Sequence, residues 1–279
     1  MNTPSFPELY EQRFGLQPTH PDPHPCDHLL ASFMARRTHR RYEDRRVDEA
    51  LMERLLTCAL SASAKSDLQQ ASIILVEDPA KRSEIASWIP SMPWIGQAPR
   101  FLVFCGDHRR IRTIFHGRGW EFPNDSIDMF MNAAVDAALV LQSFILAAEA
   151  SGLGCCPISE VRSHIIALSE LLELPDWVFP LCGLCLGYPA QRGHVSMRLP
   201  PSLTVHRDTY DDTDLDRKIA EYDRRRDERF SLPPDRQREV GRFGLAELYG
   251  WSEDKARQYS TPHRMEFNRY LKDRGFALK

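Results

Sequence analysis

Six arginines fall within eleven positions, Arg36, Arg37, Arg40, Arg41, Arg45 and Arg46, in the stretch RRTHRRYEDRR. A guanidinium is a planar fork that meets carboxylate or phosphate through paired N–H donors, so a run of this kind is chemistry for an anion. Arg36, Arg37 and Arg40 lie within one or two turns of one another, close enough for two or three to converge on a single phosphate dianion. The competing reading is a solvated basic patch with Glu43 and Asp44 as local partners. Nucleic acid is a poor candidate for the anion. The whole chain carries a net charge of −3, and Tyr42 alone is no stacking platform for bases.

Other residue clusters offer less. The seven cysteines are odd in number and several sit in apolar runs, which fits reduced, buried thiols better than a disulfide framework. CGLC at 182–185 has the spacing of a thiol–disulfide pair, yet PLCGLCLGYP reads as a buried strand, not as a helix N-terminus that would activate a thiolate. HPDPHPCDH, around His20, His24, Cys26 and His28, matches no zinc-finger spacing and reads as a proline-stiffened linker. No metal site is expected. GxGxxG after a strand, GxxxxGK[ST], GxSxG and HExxH are all absent from the sequence. Chemistry carried by a bound cofactor is therefore favoured over chemistry carried by a protein nucleophile.

The elements that must position these residues can be read from hydrophobic period. Residues 1–28 hold six prolines and little periodicity, which predicts an extended N-terminal arm followed by a single domain over 29–279. VDEALMERLLTCAL predicts a helix capped by Asp48, with Leu51, Leu55, Leu56 and Ala59 on one face. ASIILVED, RFLVFCGD and LCGLCLG predict strands. Residues 126–150 predict a long helix in which Asp128, Asn132, Asp136 and Ser143 form a narrow polar stripe. A helix so apolar must be buried centrally or against a second subunit. RSHIIALSELLEL predicts another helix, and 208–279 a charged helical region. Strands separated by long helices imply an α/β or α+β layer. The opening residues lack the apolar core of a signal peptide, and the acidic residues inside 126–150 would be costly in a bilayer, so a cytoplasmic protein without membrane contact is expected.

RRTHRRY (36–42), SASAKSDLQ (61–69), ASGLGCCPISEVR (150–162) and LCGLCLGYPAQRGHVSMRLP (181–200), in this order and spacing, resemble the FMN-dependent nitroreductase superfamily. The resemblance is to its NADPH-preferring oxygen-insensitive nitroreductase and flavin reductase branch, and it runs over roughly residues 10–279. It implies an α+β fold with a central mixed or antiparallel sheet flanked by helices. It also implies an intertwined homodimer with FMN at the subunit interface. Carried over residue by residue, the phosphate and ribityl contacts fall on Arg36, Arg37, Thr38, Arg40 and Arg198. Those near the ring and ribityl chain fall on Ser63, Ala64, Lys65, Ser66 and Gln69, and the backbone facing flavin N5 falls on Pro157, Ile158, Ser159 and Glu160.

Three departures from the family pattern stand out. Ser159 and Glu160 replace a common glycine pair, Met92 stands where a Gln commonly meets the pyrimidine edge, and Ser196 replaces a usual Lys. For the NADPH 2′-phosphate, Arg236, Arg238 and Arg242 are candidates. The implied activity is an NAD(P)H oxidoreductase, with NADPH or NADH as electron donor. It would work by ping-pong hydride transfer through FMN to a nitroaromatic, quinone or similar flat acceptor, with no catalytic side chain. The alternatives are a flavin reductase that releases reduced FMN and a flavin-binding protein without turnover.

Overall fold

Four apolar runs form one antiparallel sheet: β1 (Ala71–Leu75), β2 (Arg100–Asp107), β3 (Gly154–Ile158) and β4 (Val178–Gly187), in the order β1-β2-β4-β3. A computed structural model of the chain describes residues 4–20 and 27–278. β2 and β4 lie in the middle and are buried on both faces, which is why RFLVFCGD and LCGLCLG read as continuous apolar runs instead of alternating ones. The two faces feed different cores. Phe101, Val103, Cys105, Cys156 and Cys185 join one cluster with Ile85, Ile95, Val161 and Leu168. Leu102, Phe104, Cys155, Leu184 and Leu186 join the other with Met52, Leu55, Val140, Phe144 and Ala148. The result is the helix–sheet–helix layering of an α+β protein.

The glycine of CGLC has a packing reason. A Cβ on Gly183 would come within 2.7 Å of the Phe101 ring and 3.1 Å of Val161.

β3 was not foreseen, since Gly154-Cys155-Cys156-Pro157-Ile158 has neither alternation nor a β-branched run. Its position explains the proline. β3 pairs only with β4 and is therefore an edge, where an unpaired ladder position costs nothing.

The Asp48-capped helix spans Glu49–Leu60, with the Asp48 carboxylate accepting from Leu51 N–H at 2.8 Å. The long helix spans Ile127–Ala150. By length and composition it could cross a membrane, but its inner side lies in the sheet cores through Val140, Phe144, Ile145 and Ala148. The segment around RSHIIALSELLEL begins as a 3-10 turn, Ser159–His164, before the helix Ile165–Leu171. The charged C-terminal region breaks into separate helices, chiefly Leu215–Phe230, Trp251–Gln258 and Phe267–Asp273.

The N-terminal arm is not extended throughout. Phe6–Phe14 is helical, started by a Ser5/Glu8 capping box with Pro7 in the first turn and closed by Gly15 at φ 67°. Local capping here outweighs the proline count. The stretch HPDPHPCDH falls mostly outside the described residues.

By internal contacts the chain divides into two units. One joins the N-terminal residues up to Arg36 with His194–His263; the other joins Arg37–Gly193 with the chain from Arg264 onward. The sheet, its two cores and the long helix all belong to the second.

Candidate functional site

Within the sheet-bearing unit, a cavity of about 260 Å³ is lined by Ser63, Ala64 and Gln69 with Leu60, Ala62, Ala71, Arg110, Asp136 and Val140. Three of the five residues assigned to the ring and ribityl chain thus share one concavity. Lys65 and Ser66 lie in the same loop, joined by a 3.0 Å bond from Lys65 Nζ to Ser66 Oγ.

The loop is strained. Ser66, Asp67 and Gln69 have φ of 49°, 56° and 51°, a left-handed geometry that costs on the order of 1–3 kcal/mol for each non-glycine residue. Two side chains hold it there. Asp136, 1% exposed in the long helix, accepts Lys65 N–H at 2.9 Å and Gln70 N–H at 3.0 Å. Arg110 donates to the carbonyls of Gln69 and Ala71, both at 2.5 Å, and to Asp107 at 2.8 Å. Neither residue was singled out as a site residue from sequence. Asp136 left a trace in the polar stripe, whereas Arg110 left none.

The arginine segment is not the helical turn that sequence spacing suggested. After Arg36 the backbone runs extended, pinned by His39 N–H to Cys155 O at 2.9 Å, Glu43 N–H to Tyr188 O at 2.8 Å and Ala190 N–H to Arg41 O at 3.1 Å. Competition from these bonds removes the helix and leaves an irregular segment with one bridge, Tyr42 to Pro189. The arginines consequently have different neighbours. Arg37 reaches toward the carbonyls of Arg192 and Gly193, each at 3.5 Å, and Thr38 O lies beside Gly193. Arg40 lies over the Trp94 ring at 5.5 Å, and Arg45 over Tyr188 at 3.7 Å. Arg46 pairs with Glu49. Burial first, and then the like charge of Arg192, push the Arg37 pKa down, with Glu149 opposing.

Met92 and Trp94 pack side by side in sequence against the first core cluster. Arg40 and Met92, assigned to different parts of the cofactor, are thereby brought to one neighbourhood. Pro157 and Ile158 end β3, and Ser159 and Glu160 open the 3-10 turn. Arg264 reaches both departure residues, at 3.3 Å to Ser159 Oγ and 3.6 Å to the Glu160 carboxylate. It is another residue that nothing local in the sequence distinguishes.

The CGLC thiols are buried. Burial pushes Cys182 up to about 11 and Cys185 well above its ordinary value, so both are protonated thiols near neutral pH. Among the described residues no two cysteines form a disulfide with each other. Among the described residues no group of three or more His, Cys, Asp or Glu is placed to hold a metal ion.

In the other unit, Arg198 donates to Ser196 Oγ at 2.7 Å and its N–H meets Arg13 O at 2.8 Å. Arg36 caps the helix His28–Ala35. Of the three arginines considered for NADPH, Arg238 pairs with Asp254 at 3.1 Å and Arg242 donates to Ser260 O at 3.1 Å, while Arg236 is exposed on a 3-10 turn.

Residues 33–188 match the model of the Nitroreductase family, and residues 196–279 match that of the Nitroreductase family, C-terminal domain. The chain is 32% identical over 255 residues to a Bacillus subtilis (strain 168) protein named FMN reductase, NAD(P)H, covering 90% of this chain and 98% of the relative. It is 30% identical over 253 residues to the NADPH-flavin oxidoreductase of Vibrio harveyi, covering 91% and 100%. Among solved structures, NfrA2 of B. megaterium superposes with a TM-score of 0.82 at 29% identity, over 91% of this chain and 99% of that one. A four-stranded antiparallel sheet, a strained loop over a polar-rimmed cavity and family matches over most of its length lead to one conclusion: the chain belongs to the nitroreductase family.

Proposed function

We propose that this protein is an FMN-dependent oxidoreductase that takes two electrons from NAD(P)H and passes them to a flat small-molecule acceptor such as a nitroaromatic or a quinone. The observation that carries the reading is the cavity under the 63–70 loop, whose shape is fixed by Asp136 and Arg110. A loop held in strained conformations by buried charge is preorganised, which is what positioning a planar ring requires.

The residues present fit FMN. Its phosphate carries nearly two negative charges, and Arg37, near Arg192 and directed at the 192–193 carbonyls, puts a guanidinium fork of the right chemistry in this segment. When bound, the flavin supplies the redox chemistry by accepting hydride at N5. The chain's own residues supply the rest. Arg36, Arg37, Thr38, Arg40 and Arg198 bind the phosphate and ribityl chain, Ser63, Ala64, Lys65, Ser66 and Gln69 seat the ring and ribityl chain, Met92 borders the pyrimidine edge, and Pro157, Ile158, Ser159 and Glu160 present main chain toward N5. No side-chain nucleophile is demanded. Arg236, Arg238 and Arg242, all three exposed, are the candidates for the NADPH phosphate.

The functional unit in this proposal is a homodimer. Ile127, Met131, Val135 and Leu139 recur every four residues along the long helix at 59%, 54%, 49% and 41% exposure, an apolar line that a second copy would cover. A reducing, cytoplasmic setting accords with the buried thiols of Cys182 and Cys185. The names of the relatives, FMN reductase and NADPH-flavin oxidoreductase, favour one second reading, in which reduced FMN is itself the product released.

The test is anaerobic titration of the purified protein with NADPH and, separately, NADH. Copurified yellow flavin that is bleached stoichiometrically and restored by a quinone is the expected result. A colourless protein that takes up no FMN, or bound flavin that neither nucleotide bleaches, defeats the proposal. Flavin recovered in the filtrate after each reduction cycle would select the flavin-reductase reading.

A further inference from the structure

Ser159 and Glu160 stand where a glycine pair is common, so this chain carries a hydroxyl and a carboxylate in a turn that would otherwise bear neither. That turn follows directly on β3, and its main chain is the part assigned above to flavin N5. Arg264 meets both side chains. Its Nη2 donates to Ser159 Oγ at 3.3 Å and lies 3.6 Å from the Glu160 carboxylate.

Arg264 is delivered by a firmly seated element. Its carbonyl accepts Phe267 N–H at 3.1 Å, at the start of the helix Phe267–Asp273. In that helix the buried Tyr270 hydroxyl shares a 2.6 Å hydrogen bond with Ser169 Oγ and donates to Val178 O at 3.3 Å. Arg264 itself has φ 56°, a left-handed conformation that a non-glycine residue keeps only where its surroundings impose it. Arg162, the other arginine of the 159–164 turn, donates instead to Leu181 O in β4.

The contact is not built like a structural clamp. One nitrogen, Nη2, serves both side chains, and the buried Arg264 Nε has no hydrogen-bond partner among the described residues. Arg110, by contrast, spreads its two Nη atoms over Asp107 and two main-chain carbonyls. The Arg264 and Glu160 side chains stay 25% and 40% exposed, and an open ion pair of this kind adds little to stability. What it does set is the charge that an incoming ring meets. We propose that Glu160 and Arg264 form a specificity-determining pair for the acceptor: Glu160 balances the Arg264 charge at the N5 end of the site, which thereby favours uncharged flat acceptors over carboxylated or sulfonated ones. The proposal rests on the flavin reading above and names the acceptor class for it.

The experiment uses FMN-loaded full-length wild type, Glu160→Gln, Arg264→Gln and the double variant. Calorimetry gives the dissociation constants of benzoate and benzamide, rings of one shape that differ in charge. Turnover gives kcat/KM for 4-nitrobenzoate and 4-nitrobenzamide. Wild type is expected to prefer the amide in both comparisons. Glu160→Gln should shift both ratios toward the anion by about tenfold, the scale of one partly screened charge near contact distance. Arg264→Gln should shift them toward the amide, and the double variant should return close to wild type. General loosening of the site would weaken both rings alike and leave the ratios where they were. If Arg264→Gln does not fold, the Glu160→Gln ratios decide. A wild type that prefers the anions, ratios that Glu160→Gln leaves unmoved, or single variants that move them in the same direction overturn the assignment. A wild type that takes up no FMN would instead defeat the flavin reading, and the role of the pair with it.

Discussion

Asp136 and Gln70 are each 1% exposed, and the carboxylate of one accepts the main-chain N–H of the other at 3.0 Å. This bond joins the middle of an apolar helix to the end of the cavity loop, with Lys65 N–H held by the second carboxylate oxygen at 2.9 Å. Asp136→Asn keeps the shape but turns an amide N–H2 toward one of the two donors. A loss of about 2–4 kcal/mol is expected, from one charge-assisted bond removed and one buried N–H left without an acceptor. Denaturant titration checks it, with weaker FMN binding as the companion effect. A variant as stable as wild type would show that the loop holds its shape without the aspartate.

The arginine run should divide unequally. Arg37→Ala is expected to weaken FMN binding about ten- to a hundredfold, the loss of a charge-assisted contact worth roughly 1.5–3 kcal/mol. Arg45 over Tyr188 and Arg46 beside Glu49 are already engaged at the surface, and replacing either should change affinity by much less than tenfold. Arg40, over Trp94, should fall between the two. Fluorescence recovery on dilution at one salt concentration measures all four. Equal small effects would return the whole run to solvated charge.

Cys182 and Cys185 should prove inert in turnover. Burial holds both as thiols, and an odd separation on one strand favours opposite faces. The double Cys→Ser variant is expected to keep its rate per bound flavin while losing about 1–3 kcal/mol at position 185 and less at 182, where the Gly183 carbonyl lies 3.2 Å from the thiol as an acceptor. Collapse of the rate with flavin still bound would require a thiol relay.

Acid should unfold the protein in part through His108. This fully buried residue accepts Arg112 Nε–H on Nδ1 at 3.1 Å, and burial, followed by the Arg112 charge, pushes its pKa from 6.5 to about 4. The unfolded chain then binds a proton that the folded chain refuses. The stability contribution is complete above pH 6.5 and is lost as pH falls from there toward 4. The loss is on the order of 3 kcal/mol. His108→Gln keeps an acceptor without a titration and should flatten that limb of the stability–pH curve. A curve of unchanged slope would assign the acid loss elsewhere.

Val135 sits half-exposed in the apolar line of the long helix. If a second copy covers that line, Val135→Glu should convert the wild-type dimer to a monomer in sedimentation and release its flavin. A flavin-loaded wild-type monomer at micromolar concentration would remove the interface altogether.

The sheet was legible wherever burial on both faces left an uninterrupted apolar run, as at 100–107 and 178–187. β3 was not, because an edge strand tolerates Pro157 and needs no pattern. The Ser5 capping box was equally local, but it was overshadowed by the prolines around it. At the site, residues gathered in one contiguous loop could be named in advance, as with Ser63, Ala64 and Gln69. Arg110 and Arg264 could not. Each is a single arginine whose partners lie far away along the chain, and no spacing announces a contact that only the fold creates.

The discontinuity of the first unit fixes an order of assembly. Arg13 and the Ser196 carbonyl it binds are 183 residues apart, and at ribosomal rates that interval takes roughly 10–40 s to synthesise. Until then the arm can reach only Met34 and Arg36 among these partners, and the second unit, although all four strands lie in Arg37–Gly193, still awaits the chain from Arg264 onward. The contacts of the arm at 196–198 are therefore among its last to form. Stalled translation before residue 194 should leave the N-terminal helix without its contacts to Ser196 and Arg229, and more open to protease than in the full chain.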